Sequence, residues 1–219
     1  MPAWIWRRTT DMAQELNRYL RRIPVWTVWL AGAIPLGLLV WDIFTGGLGV
    51  EPVRDIEHRL GRTALYFLIA TLAVTPLLRI TRVSLMRFRR ALGLISFSYA
   101  LLHVASWISM EMGFLWAQML KDVVKRPYLI FGMSAFLMLV ALAVTSNDLS
   151  IRRIGGQGWR RLHKLVYPAV LLVALHWIWA LKLWEPKPLA ILGAILLLLA
   201  LRLAIPRPLG LKKPRVLQN

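Results

Sequence analysis

Six apolar runs, set off by Gly, Pro and clustered charge, divide the chain. They predict membrane-crossing helices over about Pro24–Phe44, Arg62–Ile80, Ala91–Met110, Tyr128–Ser146, His163–Lys182 and Pro188–Ile205. Each approaches the ~20 residues needed to cross a ~30 Å hydrocarbon core. The third and fifth runs are the least purely apolar, and each contains a histidine. The connections are too short for a second domain. The expected fold is therefore all-α: a polytopic six-helix bundle over residues 24–205, with an N-terminal segment 1–23 and a basic tail 206–219.

Charge orients this pattern. Of 219 residues 58% are hydrophobic, yet the formal net charge is +18. The Lys and Arg residues punctuate the spans, so nucleic acid is not the partner they imply; membrane topology is. If the N-terminus is cytoplasmic, basic residues cluster inside in four groups of five. These are Arg7, Arg8, Arg18, Arg21 and Arg22; Arg79, Arg82, Arg87, Arg89 and Arg90; Arg152, Arg153, Arg160, Arg161 and Lys164; and Arg202, Arg207, Lys212, Lys213 and Arg215. Eight basic residues then fall outside, with seven of the ten acidic ones. The positive-inside rule thus predicts both termini in the cytoplasm. Ala31-Gly32-Ala33 resembles a cleavage site but lies mid-run, so the first span is expected to stay as an uncleaved anchor. Residues 1–20, with Trp4, Trp6 and several arginines, suit a short interfacial helix.

The chain has no cysteine. Iron–sulfur clusters, thiolate ligation, disulfides and thioether-linked haem are excluded. Four histidines and eight methionines remain as soft metal ligands. Ionisable groups within a bilayer are costly and usually mark a pathway or cofactor. His103 lies 12 residues into the third span and His176 lies 13 into the fifth. Both spans enter from the same side, so both imidazoles sit ~18–20 Å from that end. Matched depth on two helices running the same way is what two axial ligands of one haem iron require. The alternative is a pair of core histidines bonded to Ser or Tyr hydroxyls.

His163 stands at the entry of the fifth span beside Arg160, Arg161 and Lys164. On a straight helix it is ~20 Å from His176 and rotated by ~220°, so the two share no face unless Pro168 re-phases the helix. A second, lower haem and a surface histidine near phosphate headgroups both remain open for it. His58, in the outer loop or at the start of the second span, suits water, a quinone or a partner.

The basic rim offers a place for an anion. Arg87, Arg89 and Arg90 share a side with Arg152, Arg153, Arg160 and Arg161, and Gly155-Gly156-Gln157-Gly158 intervenes. Guanidinium groups suit bidentate phosphate contact. Topology and anionic lipid account for most of these arginines equally well.

Arg89-Arg90-Ala91-Leu92-Gly93-Leu94 leading to His103, and Trp159–Tyr167 leading to His176, resemble the ferric-reductase-like transmembrane superfamily. With Asp55–Leu65, Thr75-Pro76-Leu77 and Arg126-Pro127-Tyr128, the chain looks like the haem-binding membrane subunits of periplasmic methionine sulfoxide reductase systems. That resemblance covers nearly the whole chain. It implies haem b held by His103 and His176 between the third and fifth helices, with His163 the third family histidine. One haem is implied, and His163 leaves a second open. It also implies FMN near the cytoplasmic face, with Arg89, Arg90, Arg160 and Arg161 as candidate contacts. The implied acceptor is the periplasmic molybdopterin-containing reductase MsrP, and the implied donor is the quinone pool or a cytoplasmic flavin reductase. One departure stands out: where NADPH oxidases carry a second histidine in the third helix, this chain has Arg89 and Arg90.

Only residues 206–219 follow the sixth span, with no glycine-rich βαβ pattern for a nicotinamide. An electron-transfer subunit of an oxidoreductase system is therefore expected in the bacterial inner membrane, not a self-sufficient enzyme. A transporter would want midplane carboxylates, and the acidic residues here lie at the edges. A structural anchor has no reason to match the depths of two histidines. A stand-alone quinone-linked or ferric-reductase-like cytochrome b is the remaining alternative.

Overall fold

A computed structural model describes residues 3–181 and 185–205, with side chains from Met12 onward. The described residues are helical almost throughout. The helices are α1 Ala3–Arg22, α2 Trp26–Thr45, α3 Pro52–Thr81, α4 Arg89–Ser106, α5 Trp116–Lys125, α6 Pro127–Val144, α7 Asp148–Leu162, α8 Val166–Ala180 and α9 Pro186–Ala204. α4 runs on through a π turn at Trp107–Glu111, and a 3-10 turn at His163–Leu165 joins α7 to α8. Six of these helical segments are long and apolar enough to cross a membrane. The protein is a multi-pass membrane protein.

Two helix pairs form the frame: α3 packs along α4, and α6 along α8. Leu65, Leu68 and Leu72 of α3 meet Leu139 and Leu142 of α6, Val170 and Ala174 of α8, and Ile195 of α9 in one buried core. A second cluster joins α2 to the first pair through Leu39, Ile56, Leu60, Ala64, Ile95 and Tyr99. The outer surface stays apolar, as Trp29, Leu30, Leu38, Leu137 and Leu197 show. A hydrocarbon solvent explains that exposure; water would not.

The expected spans are all present, but two borders differ. α3 begins ten residues before the predicted start, because Pro52 sits in its first turn and Arg59 ties the preceding loop down. Arg59 contacts Asp42 at the end of α2, bonds Asp55 at 2.9 Å and reaches the Gly47 carbonyl at 3.4 Å. His58 therefore lies on α3, where it is exposed. The fifth crossing is not one straight helix from His163: the 3-10 turn precedes α8, and α7 breaks at Gly155, whose φ is 77°. The stretch 155–158 is thus helical apart from one glycine.

α1 is a helix, and its C-terminal part is fastened to the bundle. The Asn17 amide donates to the Arg82 carbonyl at 2.9 Å, and its oxygen accepts from the Ser84 N–H at 2.7 Å. This clamp braces Arg82, a non-glycine residue with a left-handed φ of 61°. The predicted tail 206–219, and Lys182 at the predicted end of the fifth span, lie outside the described residues.

Within α2, Pro35 interrupts the helical ladder, and a side chain mends the opening. The Tyr99 hydroxyl accepts from the Leu36 N–H at 2.9 Å and donates to the Gly32 carbonyl at 2.7 Å, bridging two groups that would otherwise bond each other. Unsatisfied backbone groups are expensive where no water reaches. Tyr99→Phe should cost about 1–3 kcal/mol, read as a thermal midpoint lower by a few degrees in detergent. An unchanged midpoint would mean that α2 closes its own ladder.

Candidate functional site

The two packed helix pairs each carry one of the candidate histidines, and each ring is tied to its partner helix in the same way. His103 of α4 donates from Nδ1 to the Glu57 carbonyl of α3 at 2.9 Å. His176 of α8 donates from Nδ1 to the Tyr128 carbonyl of α6 at 2.8 Å. A backbone carbonyl accepts only, so each Nδ1 carries the proton and each Nε2 keeps its lone pair. Among the described residues neither Nε2 has a hydrogen-bond partner.

A helix carbonyl is normally screened by the residue four positions on. Here that residue is glycine both times: Gly61 follows Glu57, and Gly132 follows Tyr128. A Cβ at Gly61 would lie 3.3 Å from His103 Nδ1, and one at Gly132 would lie 2.7 Å from His176 Nδ1. Two notches in two helices therefore seat two rings. The ring centroids are 6.3 Å apart and the planes cross at 72°. The Tyr128 ring stands 5.9 Å from His176. Beyond His103 the π turn widens α4, and the buried Trp107 begins it. Such single π turns occur mostly at functional sites.

This arrangement fits a metal held between two imidazoles. A metal–nitrogen distance of about 2.0 Å on each side, added to the two ring radii, separates the centroids by roughly 6 Å, as found. Locking Nδ1 on a carbonyl is also the usual way of aiming Nε2 at a metal. Among the described residues no group of three or more His, Asp and Glu side chains offers a many-ligand metal site. A haem would fit this donor set, with the two imidazoles holding its iron and the macrocycle supplying the remaining ligands.

The other sequence candidates do not converge on the pair. His163 lies at the basic end, stacked on Trp159 with centroids 3.8 Å apart, and its Nε2 meets the Thr145 hydroxyl at 3.2 Å. Trp159 Nε1 donates to the Thr145 carbonyl at 2.8 Å, so this trio fastens α7 to the end of α6. Arg89 turns into the bundle, half-buried, while Arg90 is exposed and pairs with Asp148 at 3.1 Å. Arg160 and Arg161 are exposed on α7. At the opposite end Asp122 is buried, held by Gln118 at 3.1 Å and Arg126 at 3.3 Å, so it braces the turn into α6 and presents no charge outward.

Sequence reasoning missed Glu57, Tyr128, Gly61 and Gly132. The signal was available, because each apolar helix that faces a histidine helix carries one glycine in its N-terminal half. Glu57 contributes through its backbone; its side chain is buried, and Oε1 finds no hydrogen-bond partner among the described residues.

A six-crossing bundle with one imidazole on each of two packed pairs defines a class, and comparison with known sequences gives it a name. The family described as ferric reductase like transmembrane component matches residues 60–174, so the chain belongs to that family. Within the family its relatives are more particular. It is 42% identical over 184 residues, 83% of each chain, to the protein-methionine-sulfoxide reductase heme-binding subunit MsrQ of Brucella anthropi. The proteins of the same name from Brucella ovis and Brucella melitensis are 42% identical over 185 residues, 83% of this chain and 82% of theirs.

The notches generate a graded prediction. Gly132→Ala should displace the His176 ring and abolish most of the haem absorbance of the purified protein, while Gly61→Ala should lower it less. Equal absorbance in both variants and the parent would show that the rings are not seated against these helices.

Proposed function

We propose that this chain is a haem b electron-transfer subunit that passes electrons across the bacterial inner membrane to a periplasmic methionine sulfoxide reductase. The observation that carries the reading is the ring pair: 6.3 Å between centroids, with both Nδ1 atoms committed to helix carbonyls. The relatives named as MsrQ heme-binding subunits supply the second support. His103 and His176 would hold the iron, Gly61 and Gly132 would admit the rings, and the Glu57 and Tyr128 carbonyls would orient them. When bound, the haem supplies a one-electron centre, so the two electrons a sulfoxide consumes arrive singly.

The chain's own residues set the direction. The basic end, where α3, α6 and α9 finish, faces the cytoplasm by the positive-inside rule. The histidine pair is anchored to the sixth residue of α3 and the second of α6, near the opposite end. On this reading the pair lies toward the periplasm, within reach of a docked partner such as the molybdopterin-containing reductase MsrP. The quinone pool or a cytoplasmic flavin reductase is the donor. FMN at the basic rim would contact the exposed Arg160 and Arg161. His163 is the candidate for a second haem only if it leaves Thr145 and Trp159.

Two outcomes follow. His103→Ala or His176→Ala should remove the low-spin haem signal, and His163→Ala should leave most of it; full low-spin absorbance in the first two variants would remove the ligand assignment. In a second experiment the protein is reduced without oxygen and mixed with purified MsrP and a peptide containing methionine sulfoxide. Reoxidation should need both additions. Reoxidation that ignores MsrP would instead favour a stand-alone quinone-linked or ferric-reductase-like cytochrome b.

A further inference from the structure

Three arginines turn into the basic end of the bundle, and none has a carboxylate partner among the described residues. Arg79, in the last turn of α3, donates from Nη1 to the carbonyls of Arg202 at 2.5 Å and Ile205 at 2.7 Å. It thereby caps the end of α9 with positive charge. Arg202, in the last turn of α9, lies with Cζ 5.2 Å from the Tyr167 ring centroid. Its Nη1 is buried and makes no hydrogen bond among the described residues. Arg89, at the start of α4, is half-buried and within electrostatic reach of Arg202 and Tyr167. The ion pairs of the described residues involve other arginines: Arg54, Arg59, Arg90 and Arg126.

Positive-inside topology explains arginines that stand in water. It does not explain a guanidinium N–H buried without an acceptor, which costs more than a neutral donor left in the same state. Nor does it explain why α3, α4 and α9 each bring a cation to one place. An anion from outside the chain would satisfy the orphaned donor and offset the mutual repulsion together. Guanidinium groups arriving from different helices suit a tetrahedral group with several acceptor oxygens better than a flat carboxylate.

We propose that Arg202, Arg89 and Arg79, with Tyr167 as a wall, form an anion site at the basic end of the bundle, and that its occupant is a phosphate group. The source we assign is the headgroup of an anionic phospholipid, because the cluster lies at the ends of membrane-crossing helices whose outer surface is apolar. The site is separate from the histidine pair and does not rest on the haem reading; a colourless protein would leave it standing.

The test uses the full chain, stripped of lipid in an uncharged detergent and titrated by native mass spectrometry and thermal unfolding. The probes are phosphatidylglycerol and FMN, with riboflavin as the phosphate-free control. The parent should bind phosphatidylglycerol and unfold at a higher temperature with it. Arg202→Gln and Arg89→Gln should each weaken that binding by about tenfold or more and lose the thermal gain. The double variant Arg152→Gln and Arg153→Gln, on exposed positions of α7, should keep both. An effect of the Arg variants on phosphatidylglycerol alone supports the lipid site; an effect on FMN instead, with riboflavin not binding, overturns it. If Arg202→Gln does not fold, Arg89→Gln carries the same comparison. No binding to the parent by either probe overturns the site, as does equal affinity in the parent and the Arg variants.

Discussion

An imidazole bonded through Nδ1 to a main-chain carbonyl is the interaction on which the site depends, and it occurs twice. In water a histidine would exchange such a bond for solvent at little cost. In hydrocarbon the carbonyl is the acceptor at hand, so the bond fixes the tautomer as well as the rotamer. A carbonyl within a helix already accepts from its own ladder, and it is open sideways only where the residue above lacks a side chain. Glycine at 61 and 132 is therefore as much a part of the site as the histidines. The α3–α4 and α6–α8 pairs bring these notches opposite one another, and the core around Leu72, Val170 and Ile195 holds the pairs together.

The two ends of the bundle handle charge differently. At the end near the histidines, acids and bases are matched: Arg59 with Asp42 and Asp55, Arg126 with Asp122. At the basic end many arginines are answered by backbone carbonyls or by nothing in the described chain. Arg87 donates to the Leu20 carbonyl at 3.1 Å and Arg79 caps α9, whereas Arg202 retains an idle donor. A surface of this kind suits anionic partners, and it lies away from the histidine pair.

Much of this was legible in the amino-acid sequence. Apolar runs of membrane length revealed the six crossings, and counting residues into the third and fifth put His103 and His176 at one depth. Counting works there because a membrane helix has nearly constant rise and both helices start at the same surface. The first ten residues of α3 precede the apolar run, since Arg54, Asp55, Glu57, His58 and Arg59 interrupt it; helical backbone bonds and the Arg59 ion pairs hold them all the same. The Arg79–Arg202 contact joins residues 123 apart in sequence, and no local pattern reports it. Arg89 and Arg90 looked equivalent in sequence, yet a helix turns successive residues by about 100°, so one faces the bundle and the other meets Asp148.

The central claim is that His103 and His176 would together hold one haem iron, with their ring planes strongly crossed. Electron paramagnetic resonance of the oxidised, haem-containing protein tests it most directly, because the signal reports both the ligands and their mutual orientation. Planes at 72° predict a low-spin ferric signal of large g anisotropy, typical of nearly perpendicular imidazoles. A high-spin ferric signal from the intact protein would contradict the account, since one of the two rings would then not be on the metal.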